Sequence, residues 1–477
     1  MARLEPVAEP TDFPEEGLFL EEAAAIGERL LEKRVFAKDG SFIWVGPGGY
    51  GTEHFPFRIG RLGPYLYNGT PGVVLFLAAL ERVLGGGRYG EAALQALAPL
   101  RRQSAALAAD PERGSRFQMP IGGLIGTGSM IYSLLRIGEW LGQPDLAQEA
   151  HDLTVLITPE RIALDGQVRI QTGSAGAILA LLALHSRHPE PNRDGRTPLA
   201  IATECAAHLL SQRTSYEGRP RAWQLSPGKP PLMGFAYGAA GIAYTLLQLH
   251  RMNPDPEVRA AAAEGFDFVS SFYSPEQGSW RDPRADFEAR HQGPGASTWA
   301  DWWASRDERT TEQIASQSDP PSEGRPASTQ PIRPLFPTSW CHGSAGIALG
   351  FLAARDLLDR SEVSEEVTGA LESLRRRVES SSFIEETTND LCCGHMGIAE
   401  VLLESSRRLQ DRTLLTSARF LGLRVVLQAR NGGGYKVRAA RGTGEYSPSL
   451  FQGESGIGYT LLRLARPEAI PCLLLMG

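Results

Sequence analysis

Three of the five cysteines in this chain of 477 residues fall in two short glycine turns of like pattern. One reads Trp340-Cys341-His342-Gly343-Ser344-Ala345-Gly346 and the other Leu391-Cys392-Cys393-Gly394-His395-Met396-Gly397. Each Gly-x-x-Gly is followed by an apolar run, Ile347-Ala348-Leu349 in the first and Ile398-Ala399 with Val401-Leu402-Leu403 in the second. Each cysteine therefore stands just before the N-terminus of an expected helix, where the positive end of the helix dipole stabilises a thiolate. A single cysteine at one helix mouth and a pair at another supply up to three thiolates, enough for a tetrahedral zinc site with one position left open. An open position serves chemistry rather than stapling. The competing reading is three buried packing cysteines, common in cores; the equivalent placement in two like turns favours the metal, although the spacing is not that of a zinc finger.

Those turns need a scaffold, and the composition allows a large one. Apolar residues make up 42% and charged residues 22% of the chain, ordinary for a globular protein with a substantial core. The net charge of −7, with no dense block of lysine and arginine, argues against nucleic acid as a partner. Met1 is followed by Ala2-Arg3-Leu4-Glu5-Pro6 without an apolar stretch, so no signal peptide is expected, and no apolar run reaches the length of a transmembrane helix. An odd, clustered set of cysteines does not make a disulfide framework; a reducing cytoplasm suits free thiolates that hold a metal. Cys205 and Cys472 lie in apolar stretches and read as packing cysteines.

The same pattern, a glycine turn and then an apolar helix, recurs along the chain. Its first glycines are Gly69, Gly126, Gly173, Gly238, Gly343, Gly394 and Gly453, at steps of 57, 47, 65, 105, 51 and 59 residues. Each step is long enough for a helix out and a helix back. The helices after the turns are apolar nearly all round, as inner helices would be, and the more polar segments between, such as Asp145 to Leu156 and Ser361 to Val378, read as outer ones. The expectation is an all-α fold: an α/α toroid of about seven inner and seven outer helices, with the glycine turns gathered at one end around a central cavity. Residues 1–17, with three prolines and several acids, read as a flexible leader before a single domain over 18–477. The long fourth step holds an inserted flexible loop at about 280–337, in which Trp299, Trp302 and Trp303 form a lid or a docking face, or else pack back on the barrel.

At these motifs the chain resembles the lanthionine synthetase C-like family, and most closely the C-terminal cyclase domain of class II lanthipeptide synthetases. The resemblance covers nearly the whole chain and rests on Leu66-Tyr67-Asn68-Gly69-Thr70-Pro71-Gly72, Gly173-Ser174-Ala175-Gly176, Trp340-Cys341-His342-Gly343, Leu391-Cys392-Cys393-Gly394 and the ending from Gly456 to Leu475. It implies an α/α toroid with Zn2+ bound by Cys341, Cys392 and Cys393, the Cys-Cys pair being similar to the class II arrangement. It implies Michael-type addition of a peptide cysteine thiol to dehydroalanine or dehydrobutyrine, giving lanthionine or methyllanthionine thioether rings. The implied partners are a dehydrated, cysteine-containing precursor peptide and a separate dehydratase, because the class II dehydratase half is missing from this sequence.

Two positions depart from the family pattern. Where the family carries an aspartate four residues before the third glycine turn, this chain has Arg169; where it carries a histidine immediately before the fourth, this chain has Tyr237. The family residues handle protons during thiol activation and enolate protonation. Tyrosine can donate a proton to an enolate and arginine can stabilise one, while His342 or His395, beside the metal turns, can take over the base role. Tyr237, Arg169 and His342 are therefore the candidate catalytic residues. The alternative is a catalytically altered relative that binds a modified precursor peptide or a partner enzyme.

Overall fold

In each of the seven turns, the residue after the first glycine starts a helix, and the segment between turns supplies a second one. The computed structural model describes residues 15–48, 58–110, 119–225, 228–290, 335–358, 364–380, 382–437 and 446–477. Its long helices are, in chain order, α1 (Glu15–Glu32), α2 (Thr70–Leu84), α3 (Arg88–Ala109), α4 (Thr127–Leu141), α5 (Pro144–Asp152), α6 (Ser174–His185) and α7 (Pro198–Ser211). They continue as α8 (Ala239–Met252), α9 (Pro256–Ser270), α10 (Ser344–Ala354), α11 (Glu365–Glu379), α12 (His395–Leu409), α13 (Arg412–Gly432) and α14 (Glu454–Ala465).

The even-numbered helices form the inner ring. Each packs on the next, α2 on α4 and so on to α12 on α14, and α14 packs back on α2 to close the circle. Their composition explains the position: α10 buries every residue but Ala353, and a helix apolar on all sides is stable only where protein covers all sides. The odd-numbered helices cover them from outside. In α11 the buried residues Val367, Ala370, Leu371, Leu374 and Val378 form one stripe, and the rest faces water. Outer helices also carry side-chain caps: Thr197, Asp255, Ser364 and Asp411 each accept a hydrogen bond from the first turn.

The first helix covers the last inner one, which joins the two ends of the chain. Arg29 Nε of α1 donates to Glu454 Oε2 of α14 at 3.1 Å, and Arg419 of α13 pairs with Glu16 at 3.2 Å. This expected toroid is thus the observed fold, with short two-stranded antiparallel hairpins, such as Val45–Gly48 with Arg58–Arg61, among its connections.

Boundaries shift in two places. Glu15, Glu16 and Gly17, expected in the leader, form the first turn of α1; residues 1–14 lie outside the described residues. Trp280, expected at the start of the inserted loop, is buried in the strand Ser279–Trp280 and stacks on Phe351 at 5.9 Å, and Pro283–Arg290 is helical. Asp282 N–H donates to Leu335 O at 2.9 Å, so the chain leaves and re-enters the barrel at neighbouring points. Trp299, Trp302 and Trp303 lie outside the described residues.

Candidate metal centre

The residue two before the first glycine is Tyr67, Leu124, Gln171, Ala236, Cys341, Cys392 and Phe451 in the seven turns. Backbone hydrogen bonds run between these equivalent positions. Cys392 N–H donates to Phe451 O (2.9 Å), Phe451 to Tyr67 O (3.0 Å), Tyr67 to Leu124 O (2.9 Å), Leu124 to Gln171 O (3.1 Å) and Gln171 to Ala236 O (3.2 Å). They make a rim around one end of the inner ring, and Cys341 and Cys392 hold the same place in adjacent turns of it. The fourth turn comes close to the fifth: a Cβ on Gly234 would stand 2.2 Å from Cys341 O and 2.4 Å from His342 Cα, so only glycine fits there.

Cys393 follows Cys392, and its sulfur completes a cluster. Cys341 Sγ lies 3.4 Å and Cys392 Sγ 3.6 Å from Cys393 Sγ, and all three sulfurs lie within 4.8 Å of one another. No other group of three potential metal ligands comes together in this way among the described residues. Cys341 and Cys392 are each 1% exposed, while Cys393 is half-buried and gives the cluster its accessible side. Supporting groups hold the sulfurs in place. The Tyr67 hydroxyl donates to Cys392 Sγ at 3.0 Å, Ser339 Oγ lies 3.5 Å from Cys341 Sγ, and Cys393 N–H donates to Asp390 Oδ1 at 2.8 Å.

The donor set suits zinc. Burial pushes the Cys392 thiol well above its usual range, and the adjacent Cys341 and Cys393 push the same way, because thiolates packed this closely repel. A divalent cation among them removes both penalties. Tetrahedral sulfurs about 2.3 Å from zinc stand about 3.8 Å apart, close to the 3.4 and 3.6 Å observed. Cys205 and Cys472, by contrast, lie outside this group, and burial raises both thiols.

Arg169, Tyr237 and His342 come together as a column. The Tyr237 and His342 rings are parallel, 6° apart in plane and 4.4 Å between centroids, and the Arg169 guanidinium lies 5.1 Å from the other centroid of the pair, that of Tyr237. Arg169 is 2% and Tyr237 7% exposed, and Arg169 Nε donates to Thr172 Oγ1 at 2.8 Å. Tyr237, His342 and Cys393 occupy the same position, immediately before the glycine, in three consecutive turns.

His395 is not part of this group. Its Nε2 bonds to Phe383 O at 3.0 Å, its Nδ1 lies 3.2 Å from Asn389 Nδ2, and burial lowers its pKa to about 4. A neutral ring with both nitrogens engaged is a buttress of the sixth turn, which removes His395 as a stand-in base or ligand.

Asp282 and Arg284 are the pair that the sequence did not disclose. Arg284 Nε lies 3.0 and 2.9 Å from the two Asp282 oxygens, and both side chains are buried. Burial alone would raise the Asp282 carboxyl, but the Arg284 guanidinium, with a smaller contribution from His342, holds it below the ordinary carboxylate value. Asp282 thus stands within electrostatic reach of the column. Its segment resembled the edge of a loop, and no local pattern marked it.

The lanthionine synthetase C-like protein model matches residues 61–475. Among solved structures, nisin cyclase superposes with a TM-score of 0.56 at 15% identity, covering 86% of this chain and 92% of its own. A sugar epimerase from a ruminal bacterium gives a TM-score of 0.41 at 9% identity, covering 95% of this chain and 99% of its own. An α-1,6-mannanase, GH76A of Salegentibacter sp. HEL1_6, gives 0.41 at 10% identity, covering 95% and 100%. No curated protein matches the chain. No described helix is long and apolar enough to cross a membrane.

Proposed function

The chain belongs to the lanthionine synthetase C-like family, and from that premise we propose that it is a zinc-dependent cyclase that closes thioether rings on a dehydrated, cysteine-containing peptide. The observation that carries this reading is the approach of three sulfurs, from two adjacent turns of the rim, to 3.4 and 3.6 Å with one side accessible. Cys341, Cys392 and Cys393 would hold the metal in a class II-like arrangement. When bound, zinc supplies a Lewis acid that makes a substrate thiol a thiolate at neutral pH.

The bonds balance without a further reactant. The substrate sulfur bonds to Cβ of dehydroalanine or dehydrobutyrine, the Cα–Cβ π bond breaks, and its electron pair moves to an enolate at Cα. One proton leaves the thiol and one returns to Cα. The Tyr237 hydroxyl donates that proton, Arg169 offsets the negative charge through the tyrosine ring, and His342, stacked on that ring, accepts the thiol proton. The peptide reaches the protein already dehydrated, from a separate enzyme, in the reducing cytoplasm where the three thiols stay free.

Cyclisation leaves the peptide mass unchanged, so the assay counts free thiols by alkylation and mass spectrometry. We expect one zinc per chain, thiol loss on a dehydrated peptide, and loss of both with Cys393→Ala. A metal-free parent protein, or full zinc retention in Cys393→Ala, rejects the three-sulfur centre. One observation favours a second reading: Arg169 and Tyr237 fill the usual proton-handling positions with buried, stacked groups. A protein that holds zinc and peptide but closes no ring would be a binding partner of other modification enzymes.

A further inference from the structure

All inner helices run away from the glycine turns, so their last turns gather at the opposite end, about 20 Å from the thiols by the rise of a helix of this length. A cavity of about 780 Å³ opens at that end. The chain's last residues separate it from the thiols. Arg82 Nε donates to Ala469 O (2.7 Å), the Tyr459 hydroxyl to Pro471 O (2.7 Å) and the Tyr244 hydroxyl to Leu475 O (3.3 Å), while Leu473–Leu475 is buried between the inner helices.

Seven arginines and three glutamates line the cavity. Five of the arginines are held by carboxylates: Arg136 and Arg187 by Glu139 at 2.8 and 2.9 Å, and Arg407, Arg408 and Arg463 by Glu404 at 3.2, 2.9 and 3.0 Å. Arg82 and Arg251 have no carboxylate partner among the described residues, and both are exposed. Gln248, one turn before Arg251 on α8, is only 9% exposed, lines the cavity, and forms no side-chain hydrogen bond among the described residues. Cations at helix C-termini complement the helix dipole. That accounts for arginines toward the ends of several inner helices, but not for a recess in which positive charge and a buried amide are left over.

We propose that this recess binds a compact polyanion, a small molecule carrying two or more phosphate or carboxylate groups, through Arg82, Arg251 and Gln248. The volume lies in the range of small-molecule sites. The planar guanidinium fork matches both kinds of oxyanion. The site is independent of any chemistry at the thiols, from which the final segment separates it.

Calorimetric titration of the full chain with tripolyphosphate and with citrate, at constant ionic strength, tests the proposal and separates phosphate from polycarboxylate chemistry. Saturable one-site binding of at least one probe is expected. Arg251→Ala and Arg82→Ala should each weaken it by about tenfold, and Gln248→Leu, which removes no ion pair, should weaken it by a smaller factor. Melting curves check that the variants fold, and zinc content should stay at the parent level in all three. Absence of saturable binding of both probes up to about 10 mM, or equal affinity in the parent and in the Arg82→Ala, Arg251→Ala double variant, overturns the assignment.

Discussion

Tyr67→Phe separates a metal centre from a cluster of packing thiols. Tyr67 is 1% exposed, its ring stacks on Phe451 at 5.0 Å, and its hydroxyl donates to Cys392 Sγ at 3.0 Å. Phenylalanine keeps the ring and the stacking and removes the donor. Without metal, burial keeps Cys392 protonated, so the bond lost is one to a neutral thiol, about 0.5–1.5 kcal/mol. With metal the acceptor is a thiolate and the same bond is worth about 1.5–3 kcal/mol. The difference, about 1–2 kcal/mol, falls on metal affinity and amounts to a roughly five- to thirtyfold rise in the zinc Kd. Competition with a chromogenic chelator measures that Kd, and melting of the metal-free protein measures the remainder. An unchanged Kd refutes the reasoning. So does a metal-free protein destabilised by well over about 1.5 kcal/mol, because the hydroxyl would then contribute more than a bond to a neutral thiol can.

The remaining predictions concern the column, the buried pair and the rim. Tyr237→Phe should slow thiol loss on a dehydrated peptide by about 10² to 10⁴ while leaving zinc content unchanged; equal rates would remove Tyr237 as the acid. Restoring the family residues with Arg169→Asp and Tyr237→His should lower activity in a cyclase tuned to this column, whereas a large gain from an inactive parent would establish the binding role. Asp282→Asn removes the carboxylate that Arg284 pairs with in the buried site and should lower stability at pH 7 by chemical denaturation, by up to about 3–5 kcal/mol. The folded carboxyl lies below its ordinary value of 3.8, so its stabilisation is full above that value and is lost as the pH falls through the folded one; the gap between variant and parent should therefore narrow below about pH 4. Gly234→Ala would set a Cβ 2.2 Å from Cys341 O; it should cost at least about 1–3 kcal/mol and loosen zinc, and an unchanged melting temperature would show that the fourth turn yields freely.

The inner ring was legible because its signal is local and repeated. Gly238-Ala239-Ala240-Gly241 before Ile242 and Gly453-Glu454-Ser455-Gly456 before Ile457 each announce a turn and an all-round apolar helix within about fifteen residues, and the cysteine turns belong to the same series. What escaped depends on contacts between distant segments. The stacking of Arg169, Tyr237 and His342 joins three turns, and the Asp282–Arg284 pair gains its setting only when the chain re-enters the barrel at Leu335. His395 departs from its expected place for the opposite reason. Its neighbourhood in sequence is the metal turn, but its ring points to Phe383 and Asn389, a direction that adjacency cannot supply.

The two departures from the family pattern gain a physical logic from the rim. Seven equivalent turns offer seven equivalent side-chain positions, so neighbouring turns can exchange charges without rebuilding the barrel. If Cys341, Cys392 and Cys393 hold a divalent zinc as thiolates, the centre would carry one net negative charge, and the enolate of the proposed addition would be negative as well. An aspartate at position 169 would add another negative charge in a region from which water is excluded, where charges are weakly screened. Arg169 instead sets a cation on the face of Tyr237, which stacks on His342, the residue after Cys341. The column therefore carries positive charge toward the place where the proposed reaction accumulates negative charge, with no base of its own at position 169. In the proposed mechanism the arginine would therefore act on the enolate and not on the thiol, and thiol activation would fall to the metal and His342.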